Sequence, residues 1–480
     1  MNEHLDVLIV GAGLSGIGAA YRIGQNRPDR RWAIFEARDA IGGTWDLFRY
    51  PGIRSDSDMT TLGFPFHPYR GEKTIADGAD ILAYLRDTAR TFGIDRHIRF
   101  RHRVTAAEWS SEAARWTVHY EVDGDSAQLT CRFLFFCSGY YDYACGHAPE
   151  WPAMGVFSGR IVHPQAWPAN LSVTGRRVVV IGSGATAVTL VPALVARGAA
   201  HVTMLQRSPT YIVAMPARDR LGAALHRILP TRLADRLTRW KSIAYGIGSY
   251  TLARRRPALV KRQIAKQQRA ALGDGYDVAK HLTPNYNPWD QRLCLVPDSD
   301  LFTVLRDGRA TIVTDTIDHF TPDGIALMSG DILPADVVVT ATGLRLKIMG
   351  GAALSVDGRA VEPHRHLVYK GVMFSDVPNM AFSTGYTNAS WTLRSDLSAR
   401  FVARLLDHMD ATGTTIATPI PHAAEEATTP LLDLNSGYIQ RVAEWLPRQG
   451  KRIPWRVQQN YVRDRLTMRR RLDDGVLRFR

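Results

Sequence analysis

Two stretches of the chain share one hydrophobic rhythm. Val7-Leu8-Ile9-Val10 is a short unbroken apolar run, the pattern of a parallel strand covered on both faces. Gly11-Ala12-Gly13-Leu14-Ser15-Gly16 follows, then an alanine-rich helical segment through Ile23, then a second run from Trp32 to Phe35 that ends at Glu36. The rhythm returns at Val178 to Ile181. There it is followed by Gly182-Ser183-Gly184-Ala185-Thr186-Ala187, a helix through Val195, and a strand from His201 to Gln206 that ends at Arg207. A further buried strand with a turn at its end is predicted to close each unit, Cys131 to Tyr140 for the first and Asp336 to Gly343 for the second. Residues 215–285 break the pattern. They are rich in Ala, Leu, Arg and Lys with few β-branched runs, and predict a helical insertion in the second unit. The Thr-, Pro- and Ala-rich region from about 415 to 430 predicts a loop.

A glycine-rich loop between a strand and a helix is the setting in which a pyrophosphate is held at a helix N-terminus. The residue ending the next strand then reads the ribose. Gly11 to Glu36 spans 25 positions, and so does Gly182 to Arg207. The equal spacing places an acid at one site and a guanidinium at the other. Glu36 would accept hydrogen bonds from free ribose hydroxyls, so the first site fits FAD or NAD. Arg207, with Ser208 beside it, would pair with a 2′-phosphate, so the second fits NADP. Ala187 stands where the third glycine would be, which the pattern allows. One functional site beside a vestigial unit is the alternative, but a decayed site has no need of a phosphate-pairing Arg. Two such sites predict a flavoprotein whose FAD takes hydride from NADPH.

The fold class is therefore α/β, with two dinucleotide-binding (Rossmann-like) domains. Residues 1–145 form the first part of the FAD-binding domain. Residues 146–345 form the NADPH-binding domain, with the helical insertion at about 215–285. Residues 346–480 return to the FAD domain and end in a basic tail.

At 480 residues with 45% hydrophobic and 22% charged content, the chain has material for more than one core, and general disorder is excluded. Its four cysteines, Cys131, Cys137, Cys145 and Cys294, form no C-x-x-C pair. That excludes zinc ribbons and dithiol redox pairs, so no metal is expected and flavin electrons must leave by another route, such as O2. No apolar run is long enough to span a membrane, and a cytoplasmic location is expected. The formal charge of +14 is concentrated in two places. Residues 218–269 carry a net +12 and residues 448–480 a net +8. Solvated helix faces are the plain reading. Peripheral contact with anionic lipid at the inner face of the cell membrane through 218–269, where Ile243 to Ala253 is largely apolar, is the sharper one. No nucleic-acid motif accompanies the charge, so nucleic acid is not an expected partner.

Three segments carry a resemblance to a known family. The stretch from Gly42 to Asp56, GGTWDLFRYPGIRSD, resembles the GGxWxxxxYPGxxxD signature of type I Baeyer–Villiger monooxygenases, class B flavoprotein monooxygenases. Phe157 to Pro168 resembles their FxGxxxHTxxWP fingerprint, with Pro164 in place of the usual Thr. Asn287 to Leu293 is similar to the segment carrying the family's active-site arginine, here Arg292. The resemblance implies an FAD- and NADPH-dependent enzyme that inserts one oxygen atom of O2 into small apolar ketones through a C4a-peroxyflavin, giving esters or lactones. It also implies S-oxygenation of sulfides or thioamides. Arg292 and Asp56 become the catalytic pair, with the carboxylate holding the guanidinium. FAD would be touched by Gly11, Gly13, Ser15, Gly16, Glu36, the loop Thr44-Trp45-Asp46-Leu47, Asp56 and Val104. NADP would lie along Gly182, Ser183, Gly184, Ala185, Thr186, Ala187, Val188 and Thr189, with Arg207 and Ser208 at the phosphate and Arg54 and Ser55 opposite. His163 is read as a linker residue. Two alternatives stay open: an N- or S-hydroxylating flavin monooxygenase without ketone activity, and a peripheral membrane-binding protein with inactive nucleotide domains.

Overall fold

The computed structural model describes residues 3–25, 27–422, 427–432 and 435–480. Part of the loop predicted over 415–430, residues 423–426, lies outside the described residues. Its flanks contribute two short strands, Ala417–Pro419 and Thr429–Pro430.

The chain opens with β1 (His4–Val10), α1 (Leu14–Gly24), β2 (Trp32–Phe35) and β3 (Ile98–Arg99). An antiparallel meander follows, β4 (His102–Ser110), β5 (Arg115–Val122) and β6 (Asp125–Phe136). The second unit comprises β7 (Arg160–Val162), β8 (Arg177–Ile181), α2 (Ala185–Ala196) and β9 (His201–Gln206). The insertion contributes α3 (Arg220–Ile228), α4 (Thr231–Arg255) and α5 (Pro257–Leu272), and β10 (Ala310–Thr314) and β11 (Val337–Thr340) complete the unit. The chain then returns through β12 (Ala353–Val356), β13 (Met380–Phe382), α6 (Trp391–Thr412) and α7 (Tyr461–Arg469).

Two sheets result. The first, nine-stranded among the described residues, runs β12-β4-β5-β6-β1-β2-β3, with Arg359–Ala360 beyond β12 and β13 paired to the second half of β6. The second runs β10-β9-β8-β11-β7 and is wholly parallel. Strand order reverses beside the first strand of each unit, at β1/β6 and at β8/β11, and that reversal opens a crevice at the strand ends. The closing strand of the first unit begins earlier than its apolar run predicts. Its first half is polar on one face and pairs antiparallel with β5, while only Leu134 to Phe136 lie between β1 and β13.

Val7, Ile9, Phe133 and Phe135 face one side of the first sheet, where α1 and α6 cover them. Arg22 of α1 donates to Asp396 of α6 at 2.8 Å, which pins the two helices together. Val178, Val180, Leu190, Leu194 and Val339 form the core of the second unit. The two units are joined by an antiparallel bridge between Tyr141–Gly146 and Leu344–Leu346.

The segment 243–253 is divided between core and surface. Ile243 and Ala253 are buried and Ile247 packs beside Tyr386 and Leu393. Arg254 is paired with Asp290 at 2.6 Å. Tyr245 and Leu252 of the same segment are exposed, and so are Leu221, Ile228, Leu233, Leu237, Trp240 and Leu259 elsewhere in the insertion. No helix among the described residues is long and apolar enough to cross a membrane.

Candidate functional site

The two glycine loops repeat one piece of geometry. Gly11 follows β1 with φ +104°, and a Cβ there would sit 2.8 Å from the Cys137 carbonyl oxygen, directly after β6. Gly182 follows β8 with φ +132°, and its Cβ would sit 2.4 Å from the Ala341 carbonyl oxygen, directly after β11. Only glycine combines that backbone with that approach. The third position is a packing requirement. A Cβ at Gly16 would lie 1.8 Å from the Gly11 carbonyl oxygen, whereas the second loop accommodates a fully buried Ala187.

The middle glycines test whether a pyrophosphate fits. Gly13 and Gly184 are the N-cap residues of α1 and α2, and neither helix has a side-chain cap or an acid in its first turn. The terminal N–H groups and the helix dipole are therefore free for an anion. A Cβ at Gly184 would meet nothing within 4 Å, and one at Gly13 would meet only Gly43, at 3.6 Å and beyond. Both loops fit the group that their sequences imply.

Glu36 is buried at the end of β2. Its carboxylate accepts from the Ala12 N–H at 2.7 Å and from the Arg38 N–H at 2.9 Å. Burial pushes its pKa up, and the two backbone donors oppose that shift. A cleft of about 490 Å³ takes in Glu36, Val104, Gly11, Gly13, Ser15, Thr44 and Trp45, and also Arg54, Asp56 and Arg292. Ala185 and Thr186 of the second loop reach its wall. One cleft thus runs from Glu36 and Val104 of the first domain to the glycine loop of the second.

Arg292 lies 3.1 Å from Asp56, with Tyr140, Tyr141 and Tyr438 around it. The Asp56 charge raises the guanidinium pKa and outweighs the opposing effect of burial, so Arg292 stays charged inside a concave wall. Burial holds the three tyrosines above the usual phenol range, so they face the cation as neutral groups.

Several cleft residues had no signal in the sequence. Trp391, at the start of α6, donates from Nε1 to Ser15 Oγ at 2.8 Å and stacks at a tilt on Tyr140, with centroids 5.1 Å apart. Tyr386 donates to Asp464 at 2.8 Å, and Asp464 also pairs with buried Arg394 at 2.8 Å. Phe48 also lines the wall.

Other motif residues, Arg54 apart, sit away from the cleft. Asp46 is buried beneath Arg38, Arg49 and Arg86, because three cations around one carboxylate hold the GGTW loop in shape. Leu47 packs on the core of the second domain. Ser55 is buried, and its hydroxyl donates to the Ser57 carbonyl. Val188 and Thr189 turn into the core beneath α2. Arg54 lines the cleft and pairs with Asp300, while its buried Nε has no hydrogen-bond partner. Ser183 Oγ is bound to Thr210 Oγ1 at 2.8 Å and to the Ser208 carbonyl at 3.1 Å. Arg207 and Ser208 are exposed at the end of β9, and no carboxylate among the described residues pairs with Arg207. His163 faces Gly146 of the bridge between the domains, and burial lowers its pKa.

Residues 5–244 match the family model for flavin-binding monooxygenase-like proteins. The chain is 51% identical over 480 residues to the FAD-containing monooxygenase EthA of Mycobacterium tuberculosis, covering 100% of this chain and 98% of that protein. Among solved structures it is similar to an oxidised steroid monooxygenase bound to NADP, with 24% identity, 99% of each chain covered and a TM-score of 0.77. It is also similar to OTEMO in complex with FAD and NADP, with 22% identity, 87% of each chain covered and a TM-score of 0.70. The chain belongs to the flavin-binding monooxygenase-like family, as an FAD- and NADPH-dependent flavoprotein monooxygenase.

Proposed function

We propose that this monooxygenase carries out Baeyer–Villiger chemistry. It inserts one oxygen atom of O2 into small apolar ketones to give esters or lactones, and it S-oxygenates sulfides or thioamides. The observation that carries this reading is the Arg292–Asp56 pair on the wall of the flavin cleft. FAD held at the first glycine loop and Glu36 would, once reduced by NADPH, activate O2, one atom passing to the substrate and the other leaving as water. Arg292 then provides fixed donors for the negative charge that develops on oxygen as a carbonyl is attacked. Asp56 keeps that guanidinium charged and limits its rotation. The neutral tyrosines and Trp391 exclude water from the same volume, which strengthens the electrostatic effect. Glu36 is available to ribose hydroxyls of FAD, and unpaired Arg207 to the 2′-phosphate of NADPH.

For the insertion we propose a peripheral contact with anionic lipid. The exposed apolar residues Leu221, Ile228, Leu233, Leu237 and Trp240 lie on α3 and α4 among Arg220, Arg227, Arg232 and Arg236. The oxygenation reading is tested by gas chromatography of an aliphatic ketone and a sulfide incubated with enzyme, NADPH and air. Ester formation supports Baeyer–Villiger chemistry. Sulfoxide without ester would instead assign the chain to the N- or S-hydroxylating monooxygenases.

A further inference from the structure

A second cavity, of about 580 Å³, shares no lining residue with the flavin cleft. It lies where α1, α4, α6 and α7 meet, beside the segment 60–69. An apolar septum separates the two spaces. Ile243 lines this cavity, Tyr386 lines the cleft, and the two pack together with Leu393.

The charge of this cavity is one-sided. Seven arginines line it against Asp235 and Asp407. Both carboxylates are engaged by arginines that do not line it, Asp235 by Arg70 at 2.8 Å and Asp407 by Arg30 at 3.2 Å. Arg22 and Arg400 share Asp396. The remaining five, Arg236, Arg239, Arg404, Arg465 and Arg469, have no ion-pair partner among the described residues. Arg239 donates to the carbonyls of Thr60 and Gly63, and Arg404 to those of Met468 and Arg470, so dipoles rather than charges satisfy them. Arg465 lies over the Trp240 ring at 5.3 Å. Burial lowers the pKa of Arg239 and Arg404, and Arg469 adds to the effect on Arg404. The Thr238 hydroxyl, on the same wall and 6% exposed as a residue, has no hydrogen-bond partner. Phe64, Leu397, Phe401 and Met468 complete an apolar wall.

We propose that this cavity binds an amphiphilic anion, a carboxylate or phosphate head on an apolar chain. The unpaired arginines and Thr238 take the head, and the Phe64, Leu397 and Phe401 wall takes the chain. Guanidinium groups that are partly desolvated without a counter-charge are unfavourable, and an anion relieves them. A simple inorganic anion would leave the apolar wall uncovered, and a neutral chain would leave the cations unpaired. The rim residues Arg236 and Trp240 are exposed beside Leu233 and Leu237, so the head can arrive from solution or from a lipid surface. This inference stands apart from the flavin reading, because the two sites have different walls.

The test is titration of the flavin-loaded protein with laurate, decanol, inorganic phosphate and phosphatidylglycerol vesicles, by calorimetry and by vesicle sedimentation. Laurate is expected to bind saturably. Arg236→Gln with Arg465→Gln should weaken binding by at least about tenfold, the loss of charge-assisted contacts. The Lys versions should restore most of it, and NADPH oxidation and the thermal melt should not change. Binding to vesicles but not to laurate, with the same arginine dependence, would identify the head as that of a membrane lipid. Laurate binding without vesicle binding would identify a soluble amphiphile. Decanol or phosphate binding as tightly as laurate, an unchanged Kd in the Gln variant, or binding of neither laurate nor vesicles would overturn the proposal.

Discussion

Arg207→Ala isolates the residue on which the cofactor assignment turns. The side chain is exposed at the end of β9 and has no ion-pair partner among the described residues, so its removal leaves no buried group unsatisfied. The change in stability should stay within about 0.5 kcal/mol. Any effect on NADPH must then come from the lost contact with its 2′-phosphate. A charge-assisted hydrogen bond contributes roughly 1.5–3 kcal/mol, which corresponds to a rise of about ten- to a hundredfold in KM for NADPH. Neighbouring groups can offset little of this, because Ser183 Oγ is already bound to Thr210 and to the Ser208 carbonyl. NADH has no 2′-phosphate, so its KM should not move. Arg207→Lys keeps the charge but loses the planar fork and should fall between. Because the site is exposed, the difference should shrink as ionic strength rises. Steady-state oxidation of both nicotinamides at two salt concentrations measures all of this. Equal shifts for NADPH and NADH, or no shift for either, would refute the ribose-reader argument.

Arg292→Ala should remove ester formation and leave at most uncoupled NADPH oxidation, read as hydrogen peroxide without product; ester formation by this variant would take Arg292 out of the mechanism. Asp56→Asn should act in the same direction but more weakly, since it loosens the guanidinium without deleting it. Gly182→Ala forces a Cβ to 2.4 Å from the Ala341 carbonyl oxygen at φ +132°, a cost of roughly 1–3 kcal/mol, so both the melting temperature and NADPH use should fall. Gly184→Ala meets no clash and should raise KM for NADPH with the melting temperature unchanged, because only the phosphate cradle is affected. Asp336 has its pKa pulled down to about 2 by the Arg177 side chain and backbone N–H, which ties β11 to β8. A depressed carboxylate pKa contributes stability above its unfolded value near 4, and that stability is lost as pH falls through about 2. The gap in urea midpoint between wild type and Asp336→Asn should therefore be full at neutral pH and narrow below about pH 4, and a gap independent of pH would contradict the pairing.

What the sequence alone determined is local. Each dinucleotide unit is written in a contiguous stretch that ends 25 positions after its first glycine. Within it, a strand, a glycine turn, a helix N-terminus and the residue ending the next strand are placed by backbone geometry. The opposite charges of Glu36 and Arg207 could therefore be read as two cofactors before any coordinates. Arg292 and Asp56 were legible only through the resemblance of their segments, because nothing in their spacing brings them to 3.1 Å. Tertiary structure decided the rest. Tyr386 and Trp391 reach the cleft, and Tyr438 the surroundings of Arg292, from the returning C-terminal part, and a lone aromatic carries no mark of which wall it will join. The same holds for the segment from Ile243 to Ala253, where Ile243 turned inward because Tyr386 and Leu393 gave it a surface to bury against, while Tyr245 and Leu252 stayed exposed. The arginine-lined cavity is likewise assembled from four helices far apart in the chain. Burial and pairing of side chains depend on surfaces that meet only on folding, whereas turns and helix ends depend on the few residues that form them.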